Sequence, residues 1–225
     1  MRLIAHRGFA GLHPENTLGA VREAVALADE VEIDVRRCET GELVVIHDPT
    51  VDRVTDGSGA VAHHTLRELR ELNVLGTGEG VPTLEEVFDV VPPGVGVNVE
   101  LKEVGLAHDA LTLAREHHPQ VTVSSFHANE LEGCRGASCE VPRAYLFASD
   151  PEQAFTFAHD IDCSYLHPAA EVCDEWLVDR AHAEGLCVNA WTVDERAEAE
   201  RLEALGVDGV IADRWCVLPE ARQRQ

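Results

Sequence analysis

Leu3-Ile4-Ala5-His6-Arg7-Gly8 places a short apolar run directly before a histidine, an arginine and a glycine. The apolar residues are typical of a strand in a protein core, and the glycine permits a sharp change of backbone direction after it. The tetrapeptide Pro14-Glu15-Asn16-Thr17 follows, and either of its last two residues can cap the helix that the next apolar residues indicate. The histidine and the arginine therefore lie between a strand and a helix. Taken alone, the hexapeptide is equally consistent with a core histidine beside a surface arginine.

Later stretches show the same arrangement of a strand that ends on titratable side chains. Val31-Glu32-Ile33-Asp34-Val35 alternates with period two, so a strand would place its two acidic residues on one face. Gly96-Val97-Asn98-Val99-Glu100-Leu101-Lys102 alternates in the same way and ends on a lysine. A further short strand over residues 42–46 stops at His47. Apolar strands that stop at reactive residue types thus recur along the chain.

The spacing of the predicted strands indicates the fold class. Eight main strands begin near residues 2, 31, 96, 121, 143, 163, 186 and 209, and each precedes a helix or a helical tail. The later helices are predicted over residues 106–117, 128–134, 151–158, 172–183 and 194–205. Eight βα units in one α/β domain close most economically into a (β/α)8 TIM barrel. The alternative, an open doubly wound sheet, would show a glycine-rich phosphate loop after its first strand, and the sequence has none there.

Length and composition indicate the domain organisation. The 225 residues, 45% of them hydrophobic, suffice for one large core, and no linker-like stretch divides them. We predict a single domain over residues 1–225, in which residues 50–80 depart from the alternation of strand and helix as an insertion. No apolar run approaches the roughly 20 residues of a membrane span, and no apolar leader precedes the first strand. We therefore predict a cytoplasmic location without a membrane span.

The seven cysteines contain no Cys-x-x-Cys pair. In a reducing compartment such cysteines are usually small buried hydrophobes or unreactive thiols. A zinc site is therefore not expected.

The charge balance is strongly acidic. The 41 aspartates and glutamates face 18 lysines and arginines, which gives a formal net charge of −23, and Lys102 is the only lysine. This combination is typical of proteins from halophiles that keep concentrated salt inside the cell, and we favour that interpretation. A GC-rich genome, which also favours arginine over lysine, is the alternative. The negative field repels nucleic acid and anionic membranes, so no nucleic-acid partner is predicted.

Two predicted strands carry carboxylates at the position where a TIM barrel has its active site. Catalytic residues of such barrels lie at the C-terminal strand ends, and Glu32, Asp34 and Glu100 would converge there. Buried charges of one sign need compensation, which a divalent cation would supply. Oxygen ligands suit Mg²⁺ or Ca²⁺ better than zinc. The alternative is that Glu32 and Asp34 face solvent on an edge strand.

Two histidines are candidates for proton transfer. His6 and His47 each end an apolar strand in adjacent units, and imidazole titrates near neutral pH. The other ten histidines fall mostly in predicted loops or helices, and we expect them to be solvated. Among these, His127 follows the fourth main strand and is a further candidate. Because Lys102 is the only lysine of the chain, it is the candidate for a compact cationic donor.

Nine short motifs, spread in order over nearly the whole chain, carry a resemblance to a known family. They are His6-Arg7-Gly8, Pro14-Glu15-Asn16-Thr17, Glu32-Ile33-Asp34, His47-Asp48, Thr55-Asp56-Gly57, Pro82-Thr83-Leu84, Glu100-Leu101-Lys102, Trp191-Thr192-Val193 and Asp208-Gly209-Val210-Ile211. Together they resemble the glycerophosphodiester phosphodiesterase family. The resemblance implies a TIM barrel with a small insertion after the second barrel strand, which residues 50–80 match. It also implies a role in lipid metabolism, in which glycerophosphodiesters are hydrolysed to glycerol 3-phosphate and an alcohol with a divalent cation.

The resemblance further implies a role for each matching residue. His6 and His47 would be the catalytic acid and base, Glu32, Asp34 and Glu100 the metal ligands, and Arg7, Glu15, Lys102 and Trp191 the substrate-binding residues. Within the last group, Arg7 would hold the phosphate, Glu15 and Lys102 would lie close to it, and Trp191 would form a wall of the pocket.

Other functions remain open from the sequence. A lysophospholipase D-type or other lipid phosphodiesterase would use the same site but would need an apolar entry surface, and no amphipathic membrane helix is evident. A degenerate barrel that serves as a binding module would be expected to lack a site histidine or carboxylate, and none is missing. Ala212 and Trp215 stand where the family often has threonine and proline, which leaves the alcohol open, and the oligomeric state is open too.

Overall fold

A computed structural model of the chain describes residues 1–118, 120–138 and 140–219. The strands are β1 Arg2–His6, β2 Glu30–Arg37, β3 Leu43–Val45, β4 Gly96–Leu101, β5 Val121–Ser125, β6 Arg143–Phe147, β7 Tyr165–Pro168, β8 Cys187–Ala190 and β9 Gly209–Ala212. The α-helices are α1 Leu18–Ala24, α2 Leu66–Glu71, α3 Leu84–Val90, α4 Ala107–His117, α5 Ala128–Ala137, α6 Pro151–Asp160, α7 Glu175–Ala183 and α8 Arg196–Leu205. Short 3-10 helices cover Val61–His63, Val74–Gly76, Ala170–Val172 and Trp215–Val217.

Eight strands of the described chain form one closed parallel barrel. Their order is β1-β9-β8-β7-β6-β5-β4-β2, and β2 pairs with β1 to close the ring. β3 lies outside the barrel and runs antiparallel to β2. The predicted (β/α)8 TIM barrel is thus confirmed. Because the strands are parallel, their C-terminal ends all meet at one face.

Strand β2 shows why these sequences form a barrel. Its apolar residues belong to the main core together with side chains of α3, among them Leu84 and Val87. Each fully buried aliphatic side chain of this kind stabilises the fold by about 1.5–3 kcal/mol. Glu32 and Asp34 alternate with the apolar residues, so they point into the barrel. The period-two pattern therefore separates a helix-facing apolar side from a polar interior.

The pairing register brings the predicted site residues to one side of the barrel mouth. His6 of β1 is the Cα partner of Glu32 in β2. Asp34 of β2 is the Cα partner of Glu100 in β4. Three neighbouring strands therefore place a histidine and three carboxylates next to one another.

The insertion follows the second barrel strand, as predicted, and has a small apolar core of its own. This second core consists of Cys38, Val44, Ile46, Val51, Val54, Val61, Leu69, Val74 and Val81. Helix α2 begins at a capping box in which Thr65 and Glu68 bond each other's backbone N–H groups. β3 connects the second core to the barrel through its pairing with β2.

Several predicted boundaries were wrong by a few residues. The predicted helix over residues 172–183 is two elements, because Asp174 accepts a hydrogen bond from Leu177 N–H at 2.9 Å and so starts α7 after a 3-10 turn. Helix α5 continues to Ala137, beyond the predicted end at residue 134. Helix α8 begins at Arg196 rather than at the predicted residue 194.

The predictions about cysteines and histidines have different outcomes. The six described cysteines, Cys38, Cys134, Cys163, Cys173, Cys187 and Cys216, are free thiols, and the first four are buried. Cys139 lies outside the described residues. The expectation that the other histidines are solvated is wrong for His118 and His167, which are buried.

Among the described residues, no helix combines the length and the apolar composition that a membrane crossing requires.

Candidate active site

The C-terminal ends of the barrel strands surround a cavity with an empty volume of about 440 Å³, including its open mouth. Seven of the nine predicted site residues line it, namely His6, Arg7, Glu32, His47, Glu100, Lys102 and Trp191. Asp34 is fully buried beside them, and Glu15 contacts Arg7 from outside the lining. The structure thus brings together all nine predicted residues, from separate segments of the chain.

Glu32, Asp34 and Glu100 form a buried carboxylate cluster. One oxygen of each lies within 4.8 Å of one oxygen of the other two. Burial, with the neighbouring charge of Asp34, raises the pKa of Glu32 to about 8. Burial and the same neighbour also raise the pKa of Glu100. Arg7 and Lys102 lie beside these three carboxylates, and the two cationic side chains can compensate only part of their full charge.

The cluster fits a hard divalent cation. Glu32 Oε1 is buried and has no hydrogen-bond partner among the described residues. Asp34 Oδ1 accepts no hydrogen bond within the same part of the chain, although Lys102 Nζ lies 3.4 Å away. Buried carboxylate oxygens without donors are the ligands that an oxygen-binding cation requires. An all-carboxylate set suits Mg²⁺ or Ca²⁺ better than zinc.

Arg7 is held by carboxylates on several sides. Its Nε lies 3.0 Å from Asp34 Oδ2, and its Nη1 donates to Glu15 Oε1 at 3.1 Å. Its backbone N–H donates to Glu32 Oε2 at 3.0 Å, with a φ of 51° in the left-handed region. Burial alone would raise the pKa of Asp34, but the charges of Arg7 and Lys102 outweigh it and lower that pKa. The two cations thus favour the ionised form of Asp34.

Asn16 and Lys102 orient the oxygens of the cluster. Asn16 Nδ2 donates to Asp34 Oδ2 at 2.8 Å, and Lys102 Nζ donates to Glu100 Oε1 at 2.6 Å. Of the two predicted caps of α1, Thr17 is the one that serves, because its hydroxyl accepts from Ala20 N–H at 3.1 Å. Asn16 is therefore available to the site.

His6 is oriented by a residue from the far end of the chain. Its Nδ1 lies 2.6 Å from Oδ1 of Asp213, which follows β9. Its Nε2 lies 3.9 Å from Glu32 Oε2. Burial would lower the pKa of His6, but the hydrogen bond to Asp213 and the charge of Glu32 outweigh it and raise that pKa. One ring nitrogen is thus bound to Asp213, and the other is directed toward the carboxylate cluster.

His47 shows the same arrangement with its sequence neighbour. Its Nδ1 lies 2.6 Å from Asp48 Oδ1, and its backbone oxygen accepts from Arg36 Nε at 2.9 Å. Burial lowers the pKa of His47, and the nearby carboxylates of Asp34 and Asp48 only partly offset this. Each predicted catalytic histidine therefore has a carboxylate on Nδ1.

Arg53 of the insertion joins the two loops that carry these groups. Its Nε donates to Asp48 Oδ2 at 2.6 Å, and its Nη1 donates to Glu15 Oε2 at 2.7 Å. The hydrogen bond from Arg53 lowers the pKa of Asp48 far below its usual range. Burial would raise the pKa of Glu15, but the hydrogen bond from Arg53 and the charge of Arg7 outweigh it and lower that pKa.

The opposite side of the cavity is apolar. It is lined by Phe126, Leu146, Trp191 and Ile211. Phe126 meets Trp191 edge to face, with ring centroids 5.5 Å apart. Trp191 Nε1 donates to the backbone oxygen of His167 at 2.7 Å, which fixes the indole. The cavity therefore combines charged and apolar side chains, a combination typical of sites that bind small organic molecules.

No role was predicted from the sequence for Asp48, Arg53 or Asp213, although Asp48 belongs to one of the motifs. Asp48 had a local signal, because it directly follows His47 at the end of an apolar strand. Asp213 is 207 positions from His6, and no local spacing connects the two. Arg53 lies where the pattern is irregular. His127, the further candidate, is exposed and does not belong to the cavity lining.

Comparisons with known proteins point to one family. The model of the Glycerophosphoryl diester phosphodiesterase family matches residues 6–216. The chain is 34% identical to a glycerophosphodiester phosphodiesterase of Caldanaerobacter subterraneus subsp. tengcongensis, over 94% of this chain and 93% of the relative. It is 31% identical to a glycerophosphodiester phosphodiesterase of Bacillus altitudinis, with 94% of each chain covered.

Solved structures share the fold over almost the whole chain. A phosphodiesterase from Oleispira antarctica, in complex with the product sn-glycerol-3-phosphate, has a TM-score of 0.89 and 32% identity over 95% of this chain and 93% of its own. A glycerophosphodiester phosphodiesterase from Thermotoga maritima has a TM-score of 0.84 and 26% identity, over 96% and 95%. The chain therefore belongs to the glycerophosphoryl diester phosphodiesterase family and is a phosphoric diester hydrolase.

Proposed function

We propose that this protein hydrolyses glycerophosphodiesters to glycerol 3-phosphate and an alcohol, with His6 and His47 as acid and base. The observation that carries the proposal is the pair of histidines at one cavity, each with Nδ1 2.6 Å from a carboxylate, beside a buried carboxylate cluster. The similarity to the Oleispira enzyme, which was solved with its product, supports a small-molecule glycerophosphodiester as the substrate.

Arg7 and Lys102 are the groups proposed to bind the phosphate. Both line the cavity. A guanidinium matches two phosphate oxygens at once, and an ammonium acts as a compact point charge. Both cations offset the repulsion between an anionic diester and a chain whose net charge is −23.

Glu32, Asp34 and Glu100 are proposed to hold the cation, Mg²⁺ or Ca²⁺. When bound, such a cation supplies Lewis-acid stabilisation of the charge that develops on the phosphoryl oxygens. Asn16 and Lys102 would keep Asp34 and Glu100 in place through the hydrogen bonds that they donate at 2.8 and 2.6 Å.

The two histidines are proposed to move protons in two steps. The glycerol hydroxyl next to the phosphate-bearing carbon is an internal nucleophile, whose effective molarity can be on the order of 10⁵ M or more. One histidine takes the proton of this hydroxyl while the other protonates the departing alcohol oxygen. The bond from phosphorus to the alcohol breaks as the ring bond forms, which gives a cyclic 1,2-phosphate. The roles reverse when water opens the ring.

An analogue without the glycerol 2-hydroxyl tests this sequence of steps. It keeps the phosphate but removes the internal nucleophile, so we expect turnover to fall on the order of 10³-fold or more. Phosphorus NMR during hydrolysis of the parent diester should show a transient cyclic phosphate. Equal rates for the analogue and the parent would mean that water attacks directly.

A lysophospholipase D-type activity is a second candidate, favoured by an apolar rim. Large hydrophobic side chains are exposed at Leu12, Val104 and Phe126, in the loops that follow β1, β4 and β5, and at Leu75, in a 3-10 helix of the insertion. Such a rim can contact an acyl chain. The ratio of kcat/KM for lysophosphatidylcholine to that for glycerophosphocholine, glycerophosphoethanolamine and glycerophosphoglycerol decides between the candidates. A tenfold preference for any soluble diester supports the first.

A further inference from the structure

Arg53 lies outside the cavity lining, yet it binds two carboxylates on two different loops. Its Nε and Nη2 donate to the two oxygens of Asp48 at 2.6 and 3.2 Å. Its Nη1 and Nη2 donate to the two oxygens of Glu15 at 2.7 and 2.8 Å. Both contacts are bidentate, which fixes orientation as well as distance.

Each of these carboxylates passes the constraint to a residue of the cavity. Asp48 Oδ1 lies 2.6 Å from Nδ1 of His47, and Glu15 Oε1 accepts from Nη1 of Arg7 at 3.1 Å. His47 and Arg7 line the cavity, whereas Asp48 and Glu15 do not. A continuous chain of hydrogen bonds therefore connects His47 with Arg7 through the guanidinium of Arg53.

The setting of Arg53 indicates positioning rather than stabilisation. Its side chain is 47% exposed, so solvent partly screens its ion pairs and limits their contribution to stability. The backbone beneath it is nevertheless held, because Val51 and Val54 are buried in the second core. Val51 N–H also donates to the backbone oxygen of Gly59 at 3.0 Å. The insertion thus presents this guanidinium from a fixed base.

We propose that Arg53 is a positioning residue, through which the insertion holds His47 and Arg7 at a fixed separation. The inference rests on the proposed function, because a phosphate on Arg7 and a proton on His47 must meet at one phosphorus atom. A displacement of about 1 Å in such an arrangement can cost on the order of 10²-fold in rate.

The first test replaces Arg53 and a matched arginine of the same insertion. Arg53→Gln should lower kcat/KM for glycerophosphocholine on the order of 10²-fold, while the melting temperature falls by no more than about 4 °C. Arg70 is also exposed and makes an ion pair with Glu86 at 2.8 Å, so Arg70→Gln should leave kcat/KM within about twofold. Arg53→Lys should recover part of the loss, because an ammonium can still bind one carboxylate. A loss in Arg53→Gln no larger than that in Arg70→Gln would overturn the proposal.

Variants of Asp48 and Glu15 separate the contact that leads to His47 from the contact that leads to Arg7. Asp48→Asn should chiefly lower kcat, because it acts on the proton carrier. Glu15→Gln should chiefly raise KM, because it acts on the phosphate ligand. When Arg53→Gln is added to the double variant Asp48→Asn/Glu15→Gln, kcat/KM should fall by less than about threefold further. The effects of residues that act as a unit are not additive. Fully multiplicative losses would contradict the proposal.

A spectroscopic readout keeps the test independent of turnover. The ¹⁵N signals of the His47 ring can be identified by their absence in His47→Gln. They should show one fixed Nδ1–H tautomer in the wild type and in Arg70→Gln. In Arg53→Gln the signal should become averaged between tautomers, because Asp48 is no longer held. If no diester is hydrolysed, the proposed function fails, while this signal still decides the role of Arg53. An unchanged His47 signal in Arg53→Gln would refute the positioning role of Arg53.

Discussion

Asp213 is held in place independently of the histidine that it contacts. Its backbone N–H donates to Asp194 Oδ1 at 3.1 Å, and its carbonyl oxygen accepts from Gly11 N–H at 3.0 Å. Its carboxylate lies 2.6 Å from His6 Nδ1. A carboxylate fixed in this way selects the tautomer with the proton on Nδ1, so that Nε2 is left for chemistry.

Asp213→Asn should therefore lower kcat on the order of 10²-fold or more at pH 7, because the amide can also present an N–H to the ring and favour the wrong tautomer. Steady-state kinetics of the variant give the value. The same substitution in a His6→Ala background should have almost no further effect. A variant that stays within threefold of the wild type would show that Asp213 does not orient the ring.

Removal of divalent cations should abolish turnover, because Arg7 and Lys102 compensate only part of the charge of the cluster and no Lewis acid then acts on the phosphate. Activity should return when Mg²⁺ or Ca²⁺ is added after chelation and desalting. Glu32→Gln should need on the order of tenfold more cation for half of its maximal activity, since it loses one charged ligand. Added cation should also raise the melting temperature of the wild type more than that of Glu32→Gln. Full activity after exhaustive chelation would rule out the cation site.

His167 should make the fold sensitive to acid. It is buried in β7, with Nε2 3.0 Å from Asn189 Nδ2, and burial lowers its pKa from 6.5 to about 3. Between these values the unfolded chain binds a proton that the folded chain does not, so the free energy of unfolding falls as the pH falls. From pH 7 to pH 5 this residue should remove about 2 kcal/mol. Denaturant titrations at both pH values should show a smaller decrease in His167→Gln, and equal decreases would contradict the assignment.

Among the individual site residues, those in or directly after the barrel strands could be predicted from the sequence. His6 ends an apolar run, and Glu32 and Glu100 alternate with apolar residues, so a barrel places them together once the register is known. Arg53 could not be found in this way, because its surroundings are irregular and one of its partners, Glu15, is 38 positions away. Asp213 does follow an apolar strand, but its contact with His6 depends on the closure of the barrel. Hydrogen bonds between loops depend on three-dimensional geometry that no local pattern encodes.

Helix α4 depends on a carboxylate from the next helix. Leu106 at its N-cap has no polar side chain, and buried Glu130 of α5 accepts hydrogen bonds from the backbone N–H groups of Gly105, Leu106 and Ala107. The hydrogen bonds from Gly105 and Leu106 measure 2.6 and 2.7 Å. A carboxylate at this position satisfies several orphan donors at once.

Glu130→Ala should lower the free energy of unfolding by about 2–4 kcal/mol, because buried N–H groups lose their acceptor. For a chain of this size the melting temperature should fall by about 5–10 °C. Glu132→Ala, an exposed glutamate of the same helix, is the control and should leave the melting temperature nearly unchanged. Comparable melting temperatures for the two variants would show that the cap is dispensable.

The elements themselves were largely predictable, because strands and helices carry their period locally. The alternation in β2 and β4 gave both the strand and its inward face. The break between the 3-10 turn and α7 was missed, since Asp174 can continue a helical pattern as well as cap one. The cap on α4 was also hidden, because Glu130 reads as an ordinary acidic residue in the first turn of α5.

For the whole molecule, the net charge of −23 should make stability depend on salt. Repulsion between like charges is screened over a Debye length of about 8–10 Å near physiological ionic strength and over about 3 Å at 1 M. The melting temperature should therefore rise by several degrees, on the order of 5–10 °C, between low and molar KCl. Sucrose at matched osmolality is the control for solvent effects other than screening. A melting temperature that does not change with KCl would leave the GC-rich genome as the explanation of the composition.

Barrel closure joins the beginning of the chain to its end, since β1 pairs with β9 and His6 contacts a carboxylate 207 positions later. Ribosomes add roughly 5–20 residues per second, so this separation corresponds to about 10–40 s of translation. During that interval the nascent polypeptide has an unpaired edge on β1 and an unfinished active site. A chain truncated before β9 would therefore lack both a pairing partner of β1 and the carboxylate that contacts His6.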